Sequence, residues 1–143
     1  MHRLETSIEI NASAERVWSI LMDFPKYPRW NPFVRSIEGA PSVGESLKVV
    51  IQSPGSRGMR FQPEVLACEP RRELRWKGRL WMTGLFDGEH YFRLEARPGG
   101  VLFTQGEGFS GLLVPLFRRA LDGATRQGFV LMNEALKWEA ESK

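Results

Sequence analysis

The residue types that could transfer a proton fall on two neighbouring predicted strands. His90, one of two histidines in the chain, lies on an apolar strand face, and Glu107 lies on the apolar face of the next strand. If residues 98–99 form a two-residue hairpin turn, these side chains are directly opposite each other; a turn at residues 99–100 makes their contact diagonal. Polar groups on an apolar face are unfavourable unless they are paired. We therefore predict a hydrogen-bonded His90–Glu107 pair, with Gln105 beside it and opposite Phe92.

This pair has two interpretations. A histidine–carboxylate pair is a common unit of general acid–base catalysis. It can equally be a satisfied polar pair that lines a wet cavity without performing a reaction, and such structural pairs outnumber catalytic ones. We favour the second interpretation and keep His90 and Glu107 as candidate acid and base.

Missing side-chain volume and loop aromatics predict a cavity beside this pair. Gly78 and Gly88 lie on inward strand faces, and Gly128 interrupts an apolar helical stripe at a cost of about 1 kcal/mol relative to alanine. Bulges or tight packing are the alternative explanation of each glycine. Trp30 and Phe33 lie in a proline-bracketed loop that can form an aromatic lid over a pocket, or that simply anchors on the core.

The charged residues and the cysteine content exclude other classes of function. Arg75, Lys77 and Arg79 form a basic stripe on an outward strand face, which favours a solvated surface over binding of an acidic partner. A net charge of +3 and a pI near 9.4 do not indicate a nucleic-acid partner. The single cysteine, Cys68, excludes an intrachain disulfide. With two distant histidines and no metal-spaced carboxylates, we expect neither a metal nor a cofactor.

Hydrophobic periodicity defines the elements that must position these residues. Residues 3–10 alternate as a half-buried strand does, and residues 14–22 carry an apolar helical stripe. After a short proline-rich helical segment, residues 33–110 have the pattern of about six strands, and the period becomes helical over about 114–140. The apolar stripe of this last helix consists of Leu113, Phe117, Ala120, Leu121, Ala124, Leu131, Met132, Ala135 and Trp138.

This order predicts an α+β fold in which a curved antiparallel sheet wraps around the long C-terminal helix. That helix alone is long enough to cover the apolar face of the sheet. A length of 143 residues suits one domain. No apolar run reaches the roughly 18 residues of a membrane span, and no signal-peptide-like hydrophobic segment is present near residue 1. We therefore expect a cytoplasmic protein that is a monomer or a homodimer.

Four segments of the sequence resemble one known superfamily. They are NASAERVW (11–18), FPKYPRWNPF (24–33), GLFDGEH (84–90) and FSGLLVP (109–115). Together they resemble the START-like, polyketide-cyclase-like (SRPBCC) superfamily, and within it a bacterial branch, over nearly the whole chain. The resemblance implies one helix-grip domain over residues 1–143, with a cavity for a small molecule or lipid between sheet and helix. It implies no particular ligand, because fold does not determine function.

The predicted function is binding of a hydrophobic or amphipathic small molecule or lipid in that cavity. We expect His90, Gln105 and Glu107 to orient the polar end of the ligand, and Trp30 and Phe33 to gate the entrance. One alternative is a cyclase-, dehydratase- or hydrolase-type enzyme with His90 and Glu107 as acid and base; another is a protein-interaction module that uses the basic stripe. The predicted ligand-binding residues are Trp30, Phe33, Trp76, Gly78, Gly88, His90, Phe92, Phe103, Gln105, Glu107, Phe117, Leu121, Ala124, Gly128 and Met132.

Overall fold

The computed structural model describes residues 1–80 and 84–142. In this part of the chain the helices are α1 (Ala14–Met22), α2 (Tyr27–Trp30), α3 (Val114–Ala120) and α4 (Arg126–Glu141), with a 3-10 turn at Phe24–Lys26 and a π turn at Leu121–Thr125. The strands are β1 (His2–Ile10), β2 (Val34–Glu38), β3 (Lys48–Ile51), β4 (Met59–Phe61), β5 (Glu64–Glu69), β6 (Glu73–Leu80), β7 (Phe86–Arg97) and β8 (Gly100–Ser110).

The strands form a curved antiparallel arrangement of two connected sheets. The larger sheet has the order β1-β8-β7-β6-β5, and the smaller has the order β2-β3-β4. An isolated bridge between Ser46 and Glu64 connects them, and β4 also approaches β6. The predicted helix-grip architecture is confirmed, including the order of strand, helix, short helix, strands and long helix.

Seven strands follow the short helix in the described chain, because one predicted extended segment is divided in two. The sequence predicts a single stretch over 61–69 with an edge or bulge at Pro63, whereas the structure ends β4 at Phe61 and begins β5 at Glu64. Proline has no backbone N–H to donate to a ladder. Its carbonyl instead accepts a hydrogen bond from Leu47 N at 2.9 Å. The break leaves β4 and β5 at the edges of their respective sheets.

The C-terminal helix packs across the concave side of the larger sheet. α4 contacts β1, β8 and α1, and Phe129, Met132 and Leu136 on its inner face have no exposed surface. They join the core formed by side chains such as Leu4 and Phe103 from the sheet. At about 1.5–3 kcal/mol for each large apolar side chain buried, this face supplies much of the attraction that holds helix to sheet. In the described residues, no helix combines the length and the apolarity needed to cross a bilayer.

Candidate ligand-binding site

A cavity of about 400 Å³ lies between the larger sheet, the β3–β4 hairpin and the first half of the C-terminal helical segment. Strands β6, β7 and β8 form one side of it, and α3 with the π turn forms the opposite side. The volume is in the range typical of small-molecule sites. The aromatic walls are Phe33, Phe61, Trp76, Phe86, Phe109 and Phe117.

His90 and Glu107 meet at this cavity in the predicted register. Residues 97 and 100 pair across the turn, which places His90 directly opposite Glu107 on β7 and β8. The Nδ1 atom of His90 lies 2.8 Å from Oε1 of Glu107. The His90 side chain is 4% exposed and that of Glu107 is 18% exposed. The predicted pair is therefore confirmed, and both residues line the cavity.

The second nitrogen of His90 begins a chain of buried hydrogen bonds that leads away from the cavity. His90 Nε2 lies 2.9 Å from Oε1 of Gln105, and Gln105 Nε2 donates to Oδ1 of Asn133 on α4 at 2.8 Å. Asn133 Nδ2 then donates to Oγ1 of Thr6 on β1 at 2.8 Å. Gln105, Asn133 and Thr6 are all buried. This chain joins three elements behind the histidine and satisfies the polar groups that the apolar core would otherwise leave unpaired.

Aromatic rings hold the imidazole of His90 on its remaining sides. The Trp76 ring is stacked on it, with centroids 5.2 Å apart and planes 18° apart. Phe92 and Phe129 approach edge-on at centroid distances of 5.0 Å and 5.1 Å. Stacking and edge-on contacts of this kind fix ring orientation as well as adding attraction. With both nitrogens bonded and the ring enclosed, His90 presents no free nitrogen to the cavity.

The chain matches, over residues 1–139, the model of the family described as polyketide cyclase / dehydrase and lipid transport. It belongs to this family. The resemblance to the START-like, polyketide-cyclase-like superfamily is thereby confirmed. No curated protein is significantly similar in sequence.

Several solved structures share the fold at low sequence identity. The di-domain aromatase/cyclase BexL has a TM-score of 0.81 and 13% identity, and the match covers 99% of this chain and 50% of that one. This chain therefore spans about half the length of BexL. The aromatase/cyclase Zhui from Streptomyces sp. R1128 has a TM-score of 0.78 and 16% identity, covering 98% of this chain and 93% of that one. A START superfamily protein from Mycobacterium smegmatis has a TM-score of 0.72 and 23% identity, covering 99% and 98%.

Within this family fold, the three glycines singled out from the sequence do not share one role. Gly78 and Gly88 line the cavity. A Cβ at position 88 would overlap Oε2 of Glu107, so the missing side chain makes room for the carboxylate. A Cβ at position 128 would overlap the ring of Phe33, and Gly128 does not line the cavity. The prediction that Gly128 contributes open space is wrong, and close packing is the correct explanation.

The predicted aromatic lid is also corrected by the structure. Asn31 Oδ1 accepts hydrogen bonds from the backbone N–H groups of Phe33 and Val34, both at 2.9 Å, and turns the chain inward at this point. Phe33 is consequently 2% exposed and forms an inner wall of the cavity. Trp30 packs against Tyr27, with ring centroids 5.3 Å apart, and does not line the cavity.

The remaining predicted residues divide between the cavity and the core. Trp76, Phe117 and Leu121 line the cavity together with the residues already described. Those outside the lining are Phe92, Phe103 and Met132, which are fully buried in the core, Gln105, which lies behind His90, and Ala124, which lies on the π turn. The structure places these five residues outside the cavity lining, because helix and strand periodicity identifies an inward face without showing which part of that face is filled. Their roles as ligand contacts stay a prediction.

The far wall of the cavity and the buried polar chain do not follow from the sequence pattern. Ile51, Met59 and Phe61 of the β3–β4 hairpin line the cavity, but their strands are too short to show a clear alternation. The roles of Asn133 and Thr6 in the polar chain were not predicted either. The polar Thr6 among the inward apolar residues of β1 was the available indication of a buried hydrogen-bond partner.

The basic stripe does not lie wholly on the outer face: Arg79 lines the cavity, and Arg75 is partly neutralised by neighbouring carboxylates. Arg75 Nε lies 2.9 Å from Oε2 of Glu73, and Arg75 Nη1 lies 2.8 Å from Oε2 of Glu89. Its guanidinium also lies 4.7 Å from the centroid of the Tyr91 ring. These contacts favour a structural role for Arg75; binding of an acidic partner on this face stays a prediction.

Proposed function

We propose that the protein binds a hydrophobic or amphipathic small molecule in the cavity between the larger sheet and the C-terminal helical segment. The observation that carries this proposal is an aromatic-walled cavity of about 400 Å³ with the partly buried polar pair His90–Glu107 in its lining. Apolar walls with few polar groups are typical of sites that bind ligands by burial and orient them by one or two hydrogen bonds. The description of the family, which includes lipid transport, supports the same class of ligand.

A cavity-filling substitution tests the proposal with naphthalene as probe. Thr125 lines the cavity on the π turn, whereas Gln127, two residues further along, is exposed and does not line it. We expect wild type and Gln127→Trp to take up naphthalene in equilibrium dialysis, and Thr125→Trp to lose at least about tenfold in affinity, because the indole occupies the space that the probe needs. Equal uptake by the two tryptophan variants would contradict the proposal.

The alternative function is an enzyme of the cyclase, dehydratase or hydrolase type in the same cavity. The observation that favours it is the 2.8 Å contact between His90 and Glu107, which provides an acid and a base at the cavity wall. Mass spectrometry of small molecules extracted from purified wild type and His90→Ala distinguishes the two functions. A binding protein yields the same molecule from both, whereas an enzyme yields product from wild type and unconverted substrate from the variant.

A further inference from the structure

Two backbone carbonyl groups determine the direction of the buried hydrogen-bond chain. Oγ1 of Thr6 donates to the backbone carbonyl of Gln105 at 3.2 Å, so the same oxygen accepts from Nδ2 of Asn133. Oδ1 of Asn133 therefore faces Nε2 of Gln105, which also donates to the backbone carbonyl of Phe129 at 3.4 Å. Because a carbonyl oxygen can only accept, neither amide can be reversed without loss of these bonds. Gln105 is thus held with its carbonyl oxygen towards His90.

This orientation determines where the protons of His90 lie. Nε2 of His90 carries a hydrogen, because its partner 2.9 Å away is the carbonyl oxygen of Gln105. On the other side of the ring, one proton lies between Nδ1 and Oε1 of Glu107. If that proton is on Nδ1, Glu107 is a carboxylate. If it is on Oε1, then Oε2 is the carbonyl oxygen of a carboxylic acid. In both forms Oε2 carries no hydrogen and can only accept a hydrogen bond.

Oε2 of Glu107 is also the oxygen of this pair that a ligand can reach. The absent Cβ of Gly88 gives it room beside β7, and both residues line the cavity. Among residues 1–80 and 84–142, Oε2 has no hydrogen-bond partner, whereas Oε1 is bonded to His90. Oε2 is not among the buried polar atoms that lack a partner, so water reaches it while the cavity is empty. A ligand that fills the cavity displaces that water, and it must then supply a donor or leave the acceptor unpaired against apolar walls.

We propose that the ligand of this cavity carries a hydroxyl or N–H group that donates a hydrogen bond to Oε2 of Glu107, and that Thr6, Asn133 and Gln105 act as positioning residues that set this polarity. The inference deepens the proposed function and rests on it. It narrows the ligand class to apolar molecules with a hydrogen-bond donor at this end, such as alcohols, phenols or amines, and it excludes ligands whose only polar group at this end is a carboxylate or an ether. A carboxylate placed there would bring two acceptors together.

Four probes with the same naphthalene ring test whether the site prefers a hydrogen-bond donor. They are β-naphthol, its methyl ether, β-naphthoate and naphthalene. A hydrogen bond to a charged or strongly polarised oxygen contributes enough for about a tenfold preference. In equilibrium dialysis with wild type, we therefore expect β-naphthol to bind about tenfold more tightly than its methyl ether or naphthalene, and β-naphthoate to bind most weakly.

Substitutions at the His90–Glu107 pair test whether the preference for β-naphthol comes from Glu107. In Glu107→Gln, the amide donates to Nδ1 of His90 and its carbonyl oxygen takes the place of Oε2, so the preference for β-naphthol decreases but persists. In the double variant His90→Phe with Glu107→Leu, it disappears, while naphthalene still binds. Glu89→Gln is the matched control: it removes the same charge from β7 on the outer face, where Glu89 pairs with Arg75, and it leaves the preference unchanged.

The outcomes separate this inference from the proposed function. Equal binding of all four probes by wild type overturns the inference and leaves the proposed function intact. If β-naphthoate binds most tightly, the inference is also overturned and the proposed function stands. The polar end of the ligand then lies at Arg79, which also lines the cavity. If wild type takes up none of the probes, including naphthalene, both the proposed function and the inference fail.

Discussion

Tyr91 lies on the outer face of the larger sheet, on the opposite side of β7 from His90. Its hydroxyl donates a hydrogen bond to Oε2 of Glu5 on β1, across the intervening strand β8. Gly106 of β8 makes this reach possible, because a side chain there would overlap the hydroxyl. The guanidinium groups of Arg75 and Arg93 each lie 4.7 Å from the ring centroid. Tyr91 therefore links three strands from the outside, as the polar chain behind His90 links them from the inside.

Burial predicts that Tyr91 and Tyr27, the two tyrosines of the chain, ionise at a higher pH than a free tyrosine does. Burial, with a further contribution from the Glu5 carboxylate, raises the pKa of Tyr91 from 10.0 to about 12, and burial raises the pKa of Tyr27 further. Because the neutral phenol is favoured in the folded state, its stabilising effect is complete below pH 10 and is lost as the pH rises through about 12. Ultraviolet absorbance should show no phenolate in folded protein near pH 10, whereas the urea-denatured chain ionises there.

Tyr91→Phe identifies the residue responsible. We expect this variant to lose the phenolate step near pH 12 and to show a smaller decrease of stability over the same interval. A phenolate step near pH 10 in the folded wild type that is absent from Tyr91→Phe would contradict the assigned environment.

At the scale of elements, the π turn at Leu121–Thr125 determines which residues of the last helix are buried. A π turn contains one more residue than an α-helical turn, and each residue adds about 100° of rotation. Residues after the π turn are therefore rotated by about 100° about the helix axis from the positions that an uninterrupted α-helix would give them. Leu131 and Trp138, which that stripe predicts to be buried, are 39% and 74% exposed, whereas Asn133 is 2% exposed. The same rotation brings Asn133 to Gln105.

The elements differ in how far the sequence alone predicts them. The register of β7 and β8 follows from a two-residue turn and strict alternation, so the His90–Glu107 pair could be predicted. The π turn has no pattern in the sequence that distinguishes it from an α-helix, so the burial of Asn133 could not. Gly128 shows that volume is missing but not that the ring of Phe33 fills it. Such packing depends on elements distant in sequence.

Deletion of Gly123 tests the role of the π turn. With one residue fewer, the turn becomes α-helical and α3 rotates by about 100° relative to α4. Phe117 would then leave Phe86, whose ring centroid is 5.3 Å away. We expect the deletion to abolish naphthalene uptake in equilibrium dialysis. Residues 115–120 are exposed, but Val114 of the same helix is buried and leaves the core when α3 rotates, so we expect the free energy of unfolding to decrease by about 1–3 kcal/mol while the variant still folds.

Gly123→Ala is the control for this deletion. It keeps the number of residues in the π turn, and its Cβ meets no atom within 4 Å. Binding by this variant should equal that of wild type. Unchanged binding after the deletion would show that the π turn does not shape the cavity.

At the scale of the whole molecule, the two ends of the C-terminal helical segment have different attachments. At the far end, the guanidinium of Arg16 on α1 donates to the backbone carbonyls of Ala140 and Ser142, both at 2.6 Å. These carbonyls belong to the last helical turn and its cap, where no further turn supplies donors. Lys137 additionally donates to the backbone carbonyl of Glu9 at 2.8 Å. The cavity lies beside the other end, roughly 25 Å along the helix.

Arg16→Ala should therefore separate stability from binding. We expect urea denaturation to show a loss of about 1 kcal/mol, because the arginine is exposed and water partly replaces its hydrogen bonds. Naphthalene affinity should stay unchanged in the folded variant. Arg16→Lys, which retains the charge but cannot reach several carbonyls at once, should have intermediate stability. A tenfold change in affinity would show that the two ends are coupled.

The pairing of β1 with β8 constrains when the protein can fold. Thr6 and Gln105, which pair in this ladder, are 99 residues apart. During synthesis at 5–20 residues per second, β1 waits about 5–20 s for its partner strand. Through that interval its alternating charged residues, Arg3, Glu5 and Glu9, oppose association with other nascent chains. Glu107 and Asn133 are made later still, so a ligand can be captured in the finished site only after translation has passed them.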